Sequence, residues 1–151
     1  MKLIFLDIDG VLNSARTAIA FGKFPLDLTP EDFKLFDHVA LGLMQRLAKE
    51  GVKFVLSSTW RRHHNFDDVG KFLDLPIIAA TPVFNFSPRG REIFVWLNEE
   101  IKNGREITDY CIVDDDSDML TSQKPHFVQT LFEEGFSYQN YIMVREILNI
   151  K

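Results

Sequence analysis

Asp7 and Asp9 stand two residues apart directly after the apolar run Leu3-Ile4-Phe5-Leu6, and a second acidic cluster, Asp114-Asp115-Asp116-Ser117-Asp118, follows Cys111-Ile112-Val113. Carboxylates gathered in such numbers repel one another unless a cation neutralises them. An oxygen-only donor set favours Mg²⁺ over zinc, and no Cys/His spacing competes for a softer metal. The two acid-tipped runs therefore suggest one shared hard-cation site. The competing reading is a pair of solvated acidic turns. Two further stretches carry polar groups after apolar or turn-forming residues: the hydroxyl run Ser57-Ser58-Thr59 and the basic segment Arg89-Gly90-Arg91.

The elements that must position these residues follow from the apolar pattern. Leu3 to Leu6 reads as a strand buried on both faces, and Asp7 and Asp9 lie at its carboxyl end, with the chain turning at Gly10. Val52 to Leu56, Ile77 to Ala80, Tyr110 to Val113 and Phe127 to Thr130 read as four more strands. Thr29-Pro30-Glu31-Asp32 marks a helix start, with a capping hydroxyl, proline at the first helical position and acids in the first turn. Asp37 is a second candidate cap. Val39, Ala40, Leu43, Met44 and Leu47 form an apolar stripe on a helix that ends at Gly51.

Phe66 to Leu73 predicts a short helix that Pro76 blocks from continuing. Glu92 to Lys102 carries Ile93, Trp96, Leu97 and Ile101 on one helical face, and Ser137 caps a last helix. Ser14 to Leu28 predicts an ordered excursion over the active edge, with no definite element. Strands alternating with helices require crossover connections. The expected fold is an α/β, Rossmann-like, doubly wound single domain over residues 1–151, with a five-stranded parallel sheet. In such sheets ligands bind at the strands' carboxyl ends.

Composition narrows the setting. With 46% hydrophobic and 26% charged residues the chain is an ordinary globular one, long enough to bury a core. A formal net charge of −5 argues against bulk, sequence-blind binding to nucleic acid or to an anionic membrane. The single cysteine, Cys111, sits inside a strand, where it packs and cannot form an internal disulfide, which suits a cytoplasmic location. No apolar run reaches membrane-spanning length, and the one before Asp7 is too short for a signal peptide.

In order, Asp7-x-Asp9, Ser57, the Arg89-Gly90-Arg91 segment and the Asp114 cluster resemble the four motifs of the haloacid-dehalogenase-like (HAD) phosphohydrolase superfamily. Ser57-Ser58-Thr59-Trp60-Arg61, Arg89-Gly90-Arg91-Glu92-Ile93 with Trp96-Leu97, and Val113-Asp114-Asp115-Asp116-Ser117-Asp118-Met119 look like the small HAD group found in RNA-repair fusion proteins and as standalone bacterial and phage domains. The resemblance implies a Mg²⁺-dependent phosphomonoester hydrolase acting through an aspartyl-phosphate. Asp7 would be nucleophile and metal ligand. Asp9 would be general acid and base, with its backbone carbonyl on the metal. Ser57 would donate to the phosphoryl oxygens, and Asp114 would complete the metal shell, with Asp115 or Asp118 as the next candidate and Asp116 solvated.

A phosphate ester is an anion, so a carboxylate attacks it only where a cation and fixed donors cancel the repulsion. The phosphate-steadying cation is Arg89 or Arg91. The Arg-Gly-x-Glu-Ile pattern favours Arg89, and arginine keeps the charge of the lysine more usual at that place. Ser57 to Thr59 could instead be a helix cap. Ser58, Trp60, Arg61 and Arg91 are the candidate substrate-binding residues. Trp60 beside Arg61, Arg62, His63 and His64 reads either as a base-stacking rim or as a core tryptophan flanked by exposed cations.

HAD enzymes for small metabolites usually carry an inserted cap domain, and neither residues 14–28 nor residues 61–88 are long enough for one. An open site for a nucleotide or a nucleic-acid end follows as the expected substrate class. The rival readings are a phosphotransferase and a non-catalytic HAD-fold binding domain. A receiver-like signalling domain is disfavoured, because receivers carry the phosphorylated aspartate on the third strand.

Overall fold

The structure is a computed structural model describing residues 1–151. Five strands, β1 (Lys2–Leu6), β2 (Lys53–Leu56), β3 (Ile77–Ala80), β4 (Asp109–Asp114) and β5 (Phe127–Gln129), form one all-parallel sheet in the order β3-β2-β1-β4-β5. From β1 the chain steps outward through β2 to β3, then crosses back to β4 on the other side of β1 and outward to β5. The direction reverses between β1 and β4, which is where open α/β sheets leave a crevice for ligands. β1 is the central strand, and Leu3 to Leu6 are completely buried, which is why it has no polar face.

Six helices, α1 (Ala15–Phe21), α2 (Pro30–Phe33), α3 (His38–Lys49), α4 (Phe66–Leu73), α5 (Arg89–Lys102) and α6 (Tyr138–Ile147), connect or cover the strands. Residues from α3, α4 and α6, among them Met44, Leu47, Leu73 and Val144, pack with Ile4, Leu6, Phe54 and Val113 on one face of the sheet. Ile93, Trp96 and Leu97 of α5 pack with Leu3, Phe5, Val55 and Ile112 on the other. Successive residues of β1 therefore feed opposite cores, as the two-residue period of a strand requires.

Local chemistry accounts for most boundaries. Thr29 accepts from Asp32 N with Pro30 at the first helical position, Asp37 accepts from Val39 N and Ala40 N, and Ser137 accepts from Asn140 N. The excursion after β1 contains a helix the sequence left unassigned: in α1, Ser14 and Thr17 form a reciprocal capping box and Gly22 closes the end at φ 100°.

Two apolar stripes differ from expectation. On α3 the buried residues are Ala40, Leu41, Met44 and Leu47, while Val39 is exposed, because the 40-44-47 series sets the core-facing side and Val39 lies about 100° round the helix from it. α5 begins at Arg89, one turn earlier than its apolar stripe, and Ile101 near its end is exposed.

Candidate active site

The sheet register brings the chemistry-bearing residues to one level. Leu6 pairs with Leu56 and with Val113, and the hydrogen bonding continues one residue beyond: Asp7 N donates to Val113 O at 3.1 Å and Ser57 N donates to Leu6 O at 3.1 Å. Asp7, Ser57 and Asp114 therefore stand side by side at the carboxyl edge, at the reversal point of the sheet. Asp7 and Asp114 are buried, and Ser57 is completely so. The Ser57 Oγ, like the Oγ of Thr81 at the end of β3, has no hydrogen-bond partner. An unpaired buried hydroxyl costs stability unless a ligand completes it.

Arg89, the first residue of α5, reaches between the acids. Its Nη1 lies 3.2 Å from Asp7 Oδ1 and 2.5 Å from Asp114 Oδ2. Burial opposes its charge, but Asp7 and Asp114 outweigh that and hold its pKa above the ordinary arginine value. Arg91 is exposed two residues on. Gly90 between them explains the spacing. A side chain there would come within 2.5 Å of Gln123 Oε1 and 2.6 Å of Leu120 N, so only glycine lets α5 pack against the 119–123 segment and aim Arg89 inward.

One arginine does not neutralise the site. Carboxylate oxygens of Asp7, Asp114 and Asp115 lie within 4.8 Å of one another. Burial and then Asp114 raise the Asp7 pKa well above the usual range, burial carries Asp114 to about 6, and burial also raises Asp115. Three carboxylates, two buried and one half-buried, that resist ionising together are a fitting cradle for a hard divalent cation. Asp115 approaches because Gly10, at φ 81°, leaves space: a Cβ on Gly10 would lie 2.5 Å from the Asp115 carboxyl carbon.

The remaining acids have other work. Asp118 Oδ2 accepts from Arg89 N at 2.9 Å and so steadies the start of α5, and exposed Asp116 uses its backbone N–H to donate to Asp114 Oδ1. The Asp9 carboxylate is outside the trio: Oδ1 accepts from Asn13 Nδ2 at 2.9 Å and Oδ2 from Trp60 Nε1 at 3.3 Å.

Three candidate substrate-binding residues are turned inward: Ser58 and Trp60 take the cap and core alternatives that the sequence left open, and Arg61 departs from the expected rim position. Ser58 is buried and spends its hydroxyl on Trp60 N, capping the 3-10 turn Thr59–Arg62. Trp60 is a core tryptophan, edge-on to Phe36 at 5.9 Å, with its N–H turned to Asp9. Arg61 is not at the rim. Its guanidinium is buried against Glu92, 2.9 Å away, and donates to the carbonyls of Ser57, Ser58, Thr81 and Pro82, so no donor is left for a phosphate. A tryptophan and an arginine next to a strand end are drawn into the core when their polar atoms find partners there. His63 is exposed, while His64 lies against Trp60 with ring centroids 5.2 Å apart and its Nε2 3.2 Å from the Leu26 carbonyl. Leu26, Thr59, Trp60, His63 and His64 line a cavity of about 200 Å³ beside Asp9.

A family model described as the HAD domain in Swiss Army Knife RNA repair proteins matches residues 3–141. The chain belongs to this HAD family. No curated protein and no solved structure matches it. Membership places the chain among HAD-type phosphohydrolases at the family level and agrees with the Rossmann-like sheet. No helix of this HAD domain is long and apolar enough to cross a membrane.

Three residues that sequence reasoning did not single out support the HAD site. Asn13 is completely buried and ties Asp9 to the turn, its Oδ1 accepting from Gly10 N at 3.1 Å. Thr130 Oγ1 donates to Gly10 O at 2.7 Å, and Glu92 holds Arg61. Asn13 stands within the first motif, so its position was the available signal. Glu92 is the glutamate of the Arg-Gly-x-Glu-Ile pattern, although its partner Arg61 is not legible there, and Thr130 carries no signal without the tertiary contact.

Proposed function

We propose that this HAD domain is a Mg²⁺-dependent phosphomonoester hydrolase that works through an aspartyl-phosphate on Asp7. The observation that carries the reading is the surroundings of Asp7: Arg89 bridging it to Asp114, the Asp115 carboxylate close to both acids, and the unpartnered Ser57 hydroxyl at the same level. Asp7, Asp114 and Asp115, with the backbone carbonyl of Asp9, would hold the ion. When bound, Mg²⁺ supplies positive charge that ionises the carboxylates and offsets the charge of the phosphate ester.

The chain's own groups do the rest. The Asp7 carboxylate attacks phosphorus in line as the bond to the leaving oxygen breaks, and Asp9 gives that oxygen a proton. In the second half water attacks phosphorus, Asp9 takes its proton, and phosphate leaves Asp7. Ser57 donates to a phosphoryl oxygen, while Arg89 and the amino end of α5 offset the negative charge of the intermediate.

The substrate class is a nucleotide or a nucleic-acid end. Residues 14–28 and 61–88 form α1, α4, β3 and their turns, with no inserted domain over the edge, and the matching family is described from RNA repair proteins. Phosphate release from an aryl phosphate tests the reading: wild type with Mg²⁺ releases phosphate and Asp7→Asn does not. No release by the wild type, or full turnover by Asp7→Asn, refutes it. Transfer of the phosphoryl group to an added alcohol in preference to water would favour a phosphotransferase.

A further inference from the structure

The buried Arg61–Glu92 pair fastens a loop whose tip has no partner in the protein. Arg61 Nε donates to Thr81 O at 3.1 Å and Nη2 to Pro82 O at 3.3 Å, while Phe84 N donates to Glu92 Oε2 at 2.8 Å. Beyond these bonds the connection from β3 to α5 puts Val83, Phe84 and Phe86 into solvent, and Phe86 is completely exposed at 107%. Phe86 is also one of three non-glycine residues with positive φ, at 55°, a conformation unfavourable for a bulky side chain. A large apolar ring presented this way on an anchored loop marks an interaction surface. The loop ends at Pro88, directly before Arg89.

Charge selects the partner. On the β2–β3 side of the sheet the exposed cations Arg62 and Arg91 and the imidazole of His63 stand with the exposed acids Asp67, paired with Lys71, and Asp68, whereas the β4–β5 side exposes Asp116, Asp118, Glu133 and Glu134, the last paired with Arg16. With the paired charges set aside, Arg62 and Arg91 against Asp68 make the β2–β3 side more favourable for a chain of phosphates than the side of Asp116, Asp118 and Glu133. Exposed aromatic faces beside cations are how proteins hold unpaired bases without reading sequence.

We infer that Phe86, with Phe84, is a stacking platform for the base next to the terminal phosphate of a single-stranded nucleic acid. The inference rests on the proposed phosphohydrolase reading for the position of that phosphate. It adds a binding surface outside the HAD motifs and gives Arg61 a role, that of fixing the platform.

The test measures binding, so it does not depend on turnover. Fluorescence anisotropy compares wild type and Phe86→Ala on short single-stranded RNA carrying a 5′- or 3′-terminal phosphate, with a normal or an abasic terminal nucleoside. On normal RNA, Phe86→Ala weakens binding about tenfold. On abasic RNA, wild type is weakened to the same extent and Phe86→Ala loses nothing further. Equal affinities of the two proteins for normal RNA overturn the inference. So does an equal loss on normal and abasic RNA, which would mean an apolar surface for another partner, and so does no measurable binding by wild type. Absence of aryl phosphate turnover by wild type overturns the hydrolase reading instead and leaves the anisotropy comparison standing.

Discussion

The indole N–H of Trp60 donates to Asp9 Oδ2 at 3.3 Å, from a ring otherwise packed in the core. With Asn13 donating to Oδ1, both oxygens of the proposed acid and base are held by side chains from different parts of the chain. Such fixing keeps a catalytic group within the narrow geometry that proton transfer needs.

Trp60→Phe removes the donor while keeping an aromatic ring. Turnover of an alkyl phosphate, whose leaving oxygen needs a proton, should fall about tenfold, with a smaller loss on an aryl phosphate that leaves unaided. Steady-state kinetics on both substrates decide the point. Equal losses on the two would assign Trp60 a packing role only.

Arg61→Ala should destabilise the fold by about 3–5 kcal/mol, because it leaves the Glu92 carboxylate buried without its partner. Both side chains are almost fully buried, 3% and 5% exposed, so solvent screening offers little relief. Urea unfolding measures the change. Replacing both residues with apolar ones of similar volume, Arg61→Met with Glu92→Leu, should recover much of the loss, and a single-variant loss below about 1 kcal/mol would contradict a structural ion pair.

Asp115 and Asp118 should separate by readout. Asp115→Asn, and Gly10→Ala, which pushes the Asp115 carboxyl away, should each weaken Mg²⁺ binding about tenfold or more by calorimetry. Asp118→Ala should leave Mg²⁺ affinity near that of wild type and lower stability by about 1 kcal/mol, through the lost bond to Arg89 N. The opposite pattern would exchange their assignments.

Without metal, stability should fall as pH rises. Burial raises Asp114 from 3.8 to about 6, and Asp7 and Asp115 are raised too, so the folded chain keeps protons that the unfolded chain has released. The penalty is absent below the unfolded pKa and is complete above the folded one. Thermal unfolding in chelator should therefore show a loss between about pH 4 and pH 7 that Asp114→Asn reduces, and Mg²⁺ should stabilise more at about pH 7.5 than at about pH 5. A Mg²⁺ effect independent of pH would argue against this trio as the cation site.

Much of this protein was legible in the chain because its signals are local. Leu3 to Leu6 ending in Asp7-Ile8-Asp9-Gly10, and Cys111 to Val113 running into Asp114, announce buried strands with acids at their carboxyl ends. Thr29, Asp37 and Ser137 announce helix starts because a cap needs only a side chain and an N–H two or three residues away. The Ser14–Thr17 box was equally local, but too short an apolar stripe followed it to identify α1. What tertiary structure alone decided is where long side chains spend their donors. Trp60, Arg61 and Arg91 look alike in sequence as residues near a motif. The register of β1, β2 and β4 and the placement of α5 bury the first two against Asp9 and Glu92, leave Arg91 outside and bring Arg89 between Asp7 and Asp114. Those partners come from separate strands, helices and turns, and no spacing along the chain encodes which of several cations will meet which acid.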